Sequence, residues 1–396
     1  MFPNWSGMKY KKEILLLIIS SSFAIIFTVA LGEIYFWFKN KSNWTTNGAI
    51  HDKEFGWVLT PNNTFKTHGQ VSTINSLGFR SPEIESSQRH VIIVGDSVAF
   101  GLGLSDQETL SHYLAKKLKK FQVLNFSVPG YSVGQYYLTL KKHINKTNPA
   151  LVVVVIFTGN DLEETRKDNM HGIGKPWFQI KDSSTKFINE STSRYSCTNL
   201  LSRSWTIGIL GLKNIVGKIC KNSEYDGTNA IIQMEKILLK IQKLVTSKNA
   251  SLLFVLSPTI YDYYQEGLNC SNQEKQDTCL TLRKNMQKML LTKAKNIREN
   301  QKKHLFRTID GMKAFRDMSL SIKKAIQNVN LPHLDMITLN TKIKRSVVND
   351  YNEEDPFHLS STGNIHLTEV IEASIKLNGE KISLKQNRFD SLIAVQ

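Results

Sequence analysis

Residues 151–157 read Leu-Val-Val-Val-Val-Ile-Phe, an uninterrupted run of apolar, mostly β-branched side chains. Such a run has no polar face to give to water. As a strand it must be covered on both sides, which is the condition at the centre of a parallel sheet. Shorter runs of the same kind, Val91–Val94 and Val123–Phe126, precede it, and Leu252–Leu256 follows, halted by Ser257-Pro258. Between them lie stretches with helical spacing. Glu108–Phe121 puts Leu110, Leu114, Leu118 and Phe121 on one face, and Gln135–Asn145 fills the gap before Leu151. Thr228–Ser247 is amphipathic through Ile231, Met234, Leu238, Ile241 and Val245. Further helices are expected at 280–300 and roughly 311–327, with a closing helix over Gly363–Leu377. Strands alternating with helices predict an α/β fold, a three-layer α/β/α sandwich around a mostly parallel sheet. A composition that is 41% hydrophobic agrees with a packed core and disagrees with disorder.

A second apolar run lies near the N-terminus. Residues 14–38 are broken only by Glu33, and as a helix they reach about 37 Å, enough to cross a bilayer with some tilt. Tyr35 and Trp37 sit where interfacial aromatics belong, so the segment reads as a retained transmembrane signal anchor. Ala30-Leu31-Gly32 also fits a leader-peptidase site, which leaves a cleaved leader as the rival reading. Lys9, Lys11 and Lys12 before the span balance Lys39, Lys41 and Lys53 after it, so charge does not set the orientation. The cysteines supply the missing side. Cys197, Cys220, Cys270 and Cys279 are even in number and lack zinc spacing; Cys270 with Cys279, and Cys197 with Cys220, would each staple a loop. Disulfides need an oxidising compartment, which places the body outside the cytoplasm, periplasmic or at the cell surface.

The chain thus divides into a short tail (1–13), the anchor (14–38), a stalk with a β-rich lead-in (39–87), a main domain (88–380) with an insertion at about 163–226, and a C-terminal tail (381–396). The net charge of +17 is spread along the chain without a basic block. It reads as a solvated basic surface or as attraction to anionic lipid or acidic polysaccharide. No zinc-finger spacing, RNP-like motif or basic helix points to nucleic acid.

Chemistry gathers at strand ends. Gly95-Asp96-Ser97 directly follows the first strand, with Ser97 ahead of a helix-forming stretch. Gly130, in the loop after the second strand, has no side chain and can bring its N–H close to a substrate. Gly159-Asn160-Asp161 follows the third strand, and Asn160 carries an amide donor. Parallel strands end on one edge, so these loops converge. Late in the chain, Asp355 and His358 stand three residues apart, close enough for the carboxylate to hold the imidazole's tautomer. Serine hydrolysis needs a nucleophile, a base, a group to orient the base, and oxyanion donors. A rival serine exists: Gly130-Tyr131-Ser132-Val133-Gly134 matches the G-x-S-x-G elbow. It has too few core strands before it, and it leaves Gly95-Asp96-Ser97 unexplained. His366 reads as a packing or surface residue, His112 and His143 lack ligand spacing, and no metal or cofactor site is evident.

In these residues the chain resembles the SGNH (GDSL-type) hydrolase superfamily over roughly residues 88–380. The four family blocks occur in order: Gly95-Asp96-Ser97, Gly130, Gly159-Asn160-Asp161 and Asp355-x-x-His358, with Gly363 five residues after the histidine. The anchor and Asn75–Arg80 resemble a membrane-anchored bacterial branch. The resemblance implies a flavodoxin-like sandwich in which Ser97 is the nucleophile, His358 the general base and acid, and Asp355 its orienting partner. The Ser97 N–H, Gly130 and Asn160 would form the oxyanion hole, while Asp96 and Asp161 stabilise their own loops. The function so implied is that of a single-pass, extracytoplasmic serine esterase acting on an acyl, chiefly acetyl, ester of a glycan or lipid. An O-acyltransferase modifying a cell-surface polysaccharide shares the same triad, and a non-catalytic glycan-binding or assembly protein is the third reading.

Overall fold

The computed structural model describes residues 5–39, 48–170, 173–181, 184–188, 230–257, 259, 312–329, 332–335 and 358–384. The four cysteines, Asp355, the helix expected at 280–300 and most of the insertion lie outside these residues. An apolar helix, α1 (Trp5–Lys39), opens the chain. It starts nine residues before the expected anchor, and its apolar stretch is Glu13–Tyr35. Two hairpins form the lead-in: β1 (Ala49–Asp52) with β2 (Gly56–Leu59), and β3 (Thr64–Thr67) with β4 (Gln70–Thr73).

The main domain then alternates as its periodicity predicts. Strand β5 (Arg89–Val94) leads into the four-residue α2 (Ser97–Phe100) and on to α3 (Leu110–Lys117). Next come β6 (Phe121–Asn125), α4 (Val133–His143), β7 (Pro149–Phe157) and the short α5 (Asp161–Thr165). Part of the insertion is a pair of small hairpins, β8 (Asn169–Met170) with β9 (Ile173–Gly174), and β10 (Trp177–Lys181) with β11 (Ser184–Ile188). The remaining core is α6 (Ala230–Thr246), β12 (Ser251–Ser257), α7 (Met312–Asn328), β13 (His333–Asp335) and α8 (Ser361–Ser374).

Five strands form one sheet in the order β13-β12-β7-β5-β6, and all four pairings are parallel. Counted along the chain within this sheet, the order is 2-1-3-4-5, the flavodoxin-like arrangement. Strand β7 is central and buried at every residue. Its side chains alternate between two apolar layers. Val152, Val154 and Ile156 meet the lead-in and the α4, α6 and α7 side; Leu151, Val153, Val155 and Phe157 meet α3 and α8. The lead-in adds Trp57, Leu59, Ile74 and Phe79 to the first layer, and so packs as part of the core.

The C-terminal boundary differs from expectation. Helix α8 stops at Ser374, and the chain enters a hairpin, β14 (Ile375–Asn378) with β15 (Lys381–Leu384). Ile375 and Ile382 are buried, and the Ser251 hydroxyl donates to the Ile382 carbonyl at 2.7 Å. Residues 381–384 therefore belong to the domain. Each of these strands buries a single isoleucine, too short an alternation to be read as periodicity.

Candidate active site

In a sheet of this order, chain direction across the sheet reverses between β5 and β7, and the loops leaving their C-terminal ends part to leave a crevice. Ser97 follows β5, Gly130 follows β6 and Asn160 follows β7, so the first three blocks meet there. The β6 exit is drawn over the β5 exit by two backbone bonds, Phe126 N–H to the Ile93 carbonyl at 2.8 Å and Val128 N–H to the Gly95 carbonyl at 3.2 Å.

The turn carrying Ser97 is built by its neighbours. A Cβ on Gly95 would stand 2.5 Å from the Ala99 Cβ and 3.1 Å from the Val155 carbonyl oxygen, so only glycine lets the turn close onto β7. Asp96 caps α2, its carboxylate accepting the Val98 N–H at 2.9 Å. Behind the helix, Asn125 donates its amide to the Ala99 carbonyl at 2.9 Å. Arg80, from the lead-in, donates to the carbonyls of Gly101 and Leu104, each at 2.7 Å. With α2 held from both ends, Ser97 is partly exposed while every other residue of the helix is buried.

His358 completes the pair. Its Nε2 lies 2.8 Å from the Ser97 Oγ, although 261 positions separate them in sequence. The histidine is placed by the start of α8. Ser360 caps that helix by accepting the Gly363 N–H at 3.2 Å, and Tyr113 of α3 bonds the Ser361 hydroxyl at 2.6 Å. The Ser-x-x-Gly sequence after His358 is thus a helix cap that fixes the approach of the imidazole.

Gly130 sits at φ +81°, a conformation that glycine adopts without strain. Beside it, Ser132 is 2% exposed and caps α4 in a reciprocal box with Gln135. Among the described residues its hydroxyl bonds to Gln135 and Lys175, and the His358 imidazole meets Ser97 instead. Asn160 begins α5 and lies against Asp96. Asp161, fully buried, accepts from the Tyr136 hydroxyl at 2.8 Å and the Phe157 N–H at 2.7 Å.

Asp96 and Asp161 form a buried carboxylate pair. Burial pushes Asp96 up to about 6, while the Val98 N–H, His358 and Asn160 pull the other way. Burial and the Asp96 charge push Asp161 well above the usual carboxylate range, and the same burial with Asp161 nearby raises the Tyr136 phenol. Among the described residues, no group of three or more His, Cys, Asp or Glu side chains gathers as a metal ion needs.

No family model matches the chain. No curated protein matches it either. Among solved structures it is similar to an acetyl xylan esterase, with 13% identity over 71% of this chain and 97% of that one at a TM-score of 0.35. It is also similar to a lipase/acylhydrolase from Enterococcus faecalis, with 12% identity over 76% of this chain and all of the other (100%), TM-score 0.36. A third is a member of the lipolytic G-D-S-L family from Veillonella parvula, with 11% identity over 72% and 96%, TM-score 0.36.

The structure brings together Ser97 and His358 by direct contact, and Gly130 and Asn160 by the convergence of their loops; Asp355 lies outside the described residues. His366, on α8, is 8% exposed and packs in the interior. His143 stacks edge-on with Phe79 at 5.1 Å, and burial lowers it to about 4, leaving a neutral packing imidazole. Four supporting residues were given no role by the sequence: Trp57, Arg80, Tyr136 and Lys175. Arg80 stood only as the end of the Asn75–Arg80 stretch and Tyr136 only as part of the expected helix Gln135–Asn145.

Proposed function

We propose that this chain is a serine esterase of the SGNH type, cleaving short acyl esters through an acyl-enzyme, anchored by α1 with its catalytic body outside the cytoplasm. The observation that carries the reading is the 2.8 Å contact between His358 Nε2 and Ser97 Oγ at the switch point of a parallel sheet. In the first half-reaction, Ser97 Oγ attacks the ester carbonyl carbon and His358 takes the hydroxyl proton. The carbonyl oxygen becomes an oxyanion, received by the Ser97 and Gly130 N–H groups and the Asn160 amide. His358 then returns its proton to the departing alcohol. Water repeats the sequence on the acyl-enzyme and frees the acid. Asp355, three residues before His358, orients the imidazole.

The anchor reading is supported by α1, whose apolar stretch Glu13–Tyr35 is unburied and spans about 35 Å at 1.5 Å per residue. The side of the membrane is supported by the even cysteine count.

A membrane-impermeant fluorophosphonate tests both parts on spheroplasts expressing the full chain. Wild type is expected to take up the label, Ser97→Ala is expected not to, and Ser132→Ala still carries it on Ser97. Label appearing only after permeabilisation would reverse the orientation. Label that survives Ser97→Ala would overturn the nucleophile.

A further inference from the structure

Lys175 follows β9 in the insertion, outside every block that carries the esterase reading, yet its side chain is 0% exposed. Burying an ammonium is costly unless it is paired and hydrogen-bonded, so its position calls for a physical reason. Its Nζ donates to the Ser132 hydroxyl at 3.2 Å, to the Glu164 backbone carbonyl, and lies 3.4 Å from the Glu164 carboxylate. Ser132 stands two residues after Gly130, and Glu164 one turn after Asn160, whose carbonyl accepts the Glu164 N–H at 2.8 Å. One cation therefore ties the Gly130 loop to the helix that begins at Asn160.

The Gly130 loop is gripped from its other side by the lead-in. Trp57 donates its indole N–H to the Pro129 carbonyl at 3.0 Å, and its own carbonyl accepts the Tyr131 hydroxyl at 2.7 Å. Both neighbours of Gly130 are thus bonded to one residue. Gln135, in the first turn of α4, donates to the Phe55 carbonyl at 2.8 Å. With the Pro129–Tyr131 side fixed by Trp57, the separation between Gly130 and Asn160 is held by two ties, the Tyr136–Asp161 bond between α4 and α5 and the Ser132–Lys175–Glu164 bridge.

We infer that Lys175 is a positioning residue that sets the spacing of the two oxyanion donors supplied by Gly130 and Asn160. The inference rests on the esterase reading of Ser97. Lys175 touches no reacting atom. It acts by holding two loops whose donors must both reach one oxygen, and a small misplacement there costs rate without changing substrate binding. The charged groups that reach it are Glu164 and Asp161, which favour its ammonium, and Lys167, which opposes it. Burial is the largest influence and lowers it to about 8.

The test uses the full chain in detergent micelles with p-nitrophenyl acetate, alongside the rate of fluorophosphonate labelling, in which fluoride leaves and the phosphoryl oxygen sits on the same donors as the ester oxyanion. Lys175→Met is expected to lower kcat about 10- to 100-fold with KM within about twofold, and to slow labelling in proportion. Wild-type kcat should decline as pH rises through about 8, where Lys175 loses its proton, and this limb should be missing in Lys175→Met. Glu164→Gln keeps the backbone carbonyl but removes the charge favouring the ammonium, so the limb should move to lower pH. That variant decides the matter if Lys175→Met does not fold. A wild-type protein that neither labels at Ser97 nor hydrolyses the ester overturns the esterase reading and this inference with it. A labelled wild type, with Lys175→Met at the wild-type rate or an alkaline limb unmoved by Glu164→Gln, overturns the positioning role alone.

Discussion

Arg80 offers the most quantitative test of how the lead-in supports the turn that carries Ser97. Its guanidinium is 4% exposed as a residue and makes five bonds: to Asp106 at 2.7 Å, to the carbonyls of Gly101 and Leu104 at 2.7 Å each, and to those of Val71 at 3.1 Å and Phe100 at 3.3 Å. Asp106 is 41% exposed and can rehydrate, so its bond contributes under about 1 kcal/mol. The two long carbonyl bonds add little. The two short ones join a charged donor to buried carbonyls, at about 1.5–3 kcal/mol each, or about 4 kcal/mol together. Arg80→Met keeps the apolar stem and removes the donors. Urea unfolding followed by tryptophan fluorescence, with buried Trp57 as a reporter, should show the midpoint falling by more than about 1 M at unchanged slope, taking a slope of about 3 kcal/mol per M. Labelling of Ser97 should fall at urea concentrations below the main transition, because the freed carbonyls belong to the segment that ends α2. A midpoint within about 0.3 M of wild type would refute the assignment of Arg80 as the buried clamp on this loop.

Gly95→Ala forces a methyl into the 2.5 Å approach to Ala99 and should cost about 1–3 kcal/mol while slowing Ser97 labelling; unchanged stability and labelling would show that the turn has room. Asp96 has its carboxyl raised to about 6, so its neutral form adds stability that is fully present below about pH 4 and is lost as pH rises through about 6. Asp96→Asn keeps a capping oxygen and has no such loss, so its denaturation midpoint should rise relative to wild type between pH 4 and pH 6.5, and a constant difference would refute the burial argument.

Much of the fold could be read locally. Strand β7 needs only its own apolar residues to announce a two-faced strand, and α3 and α6 carry their buried faces at helical spacing. The serine turn, the Gly130 loop and the Asn160 turn were legible for the same reason: glycine, a cap and a polar tip follow each strand within a few residues. The closing hairpin was not, since β14 and β15 each bury one side chain.

The net charge of +17 shows the same division. Along the chain the lysines look scattered. Once folded, Lys116 and Lys117 occupy the last turn of α3, Lys141 and Lys142 that of α4, and Lys243 that of α6. All lie toward the sheet edge opposite Ser97, where helix C-termini favour positive charge.

The sequence by itself therefore determined the layer architecture, the candidate span at the N-terminus and the identity of the serine, glycine and asparagine loops. These follow from side-chain patterning within a strand or a turn. Only the tertiary structure decided which serine meets His358, that Ser132 is a cap, and that Arg80, Trp57 and Lys175 brace the loops around Ser97 and Gly130. The Arg80–Leu104, Lys175–Ser132, Trp57–Pro129 and His358–Ser97 contacts join residues 24 to 261 positions apart, and a residue type carries no trace of a distant partner until the sheet's parallel order brings both to one edge.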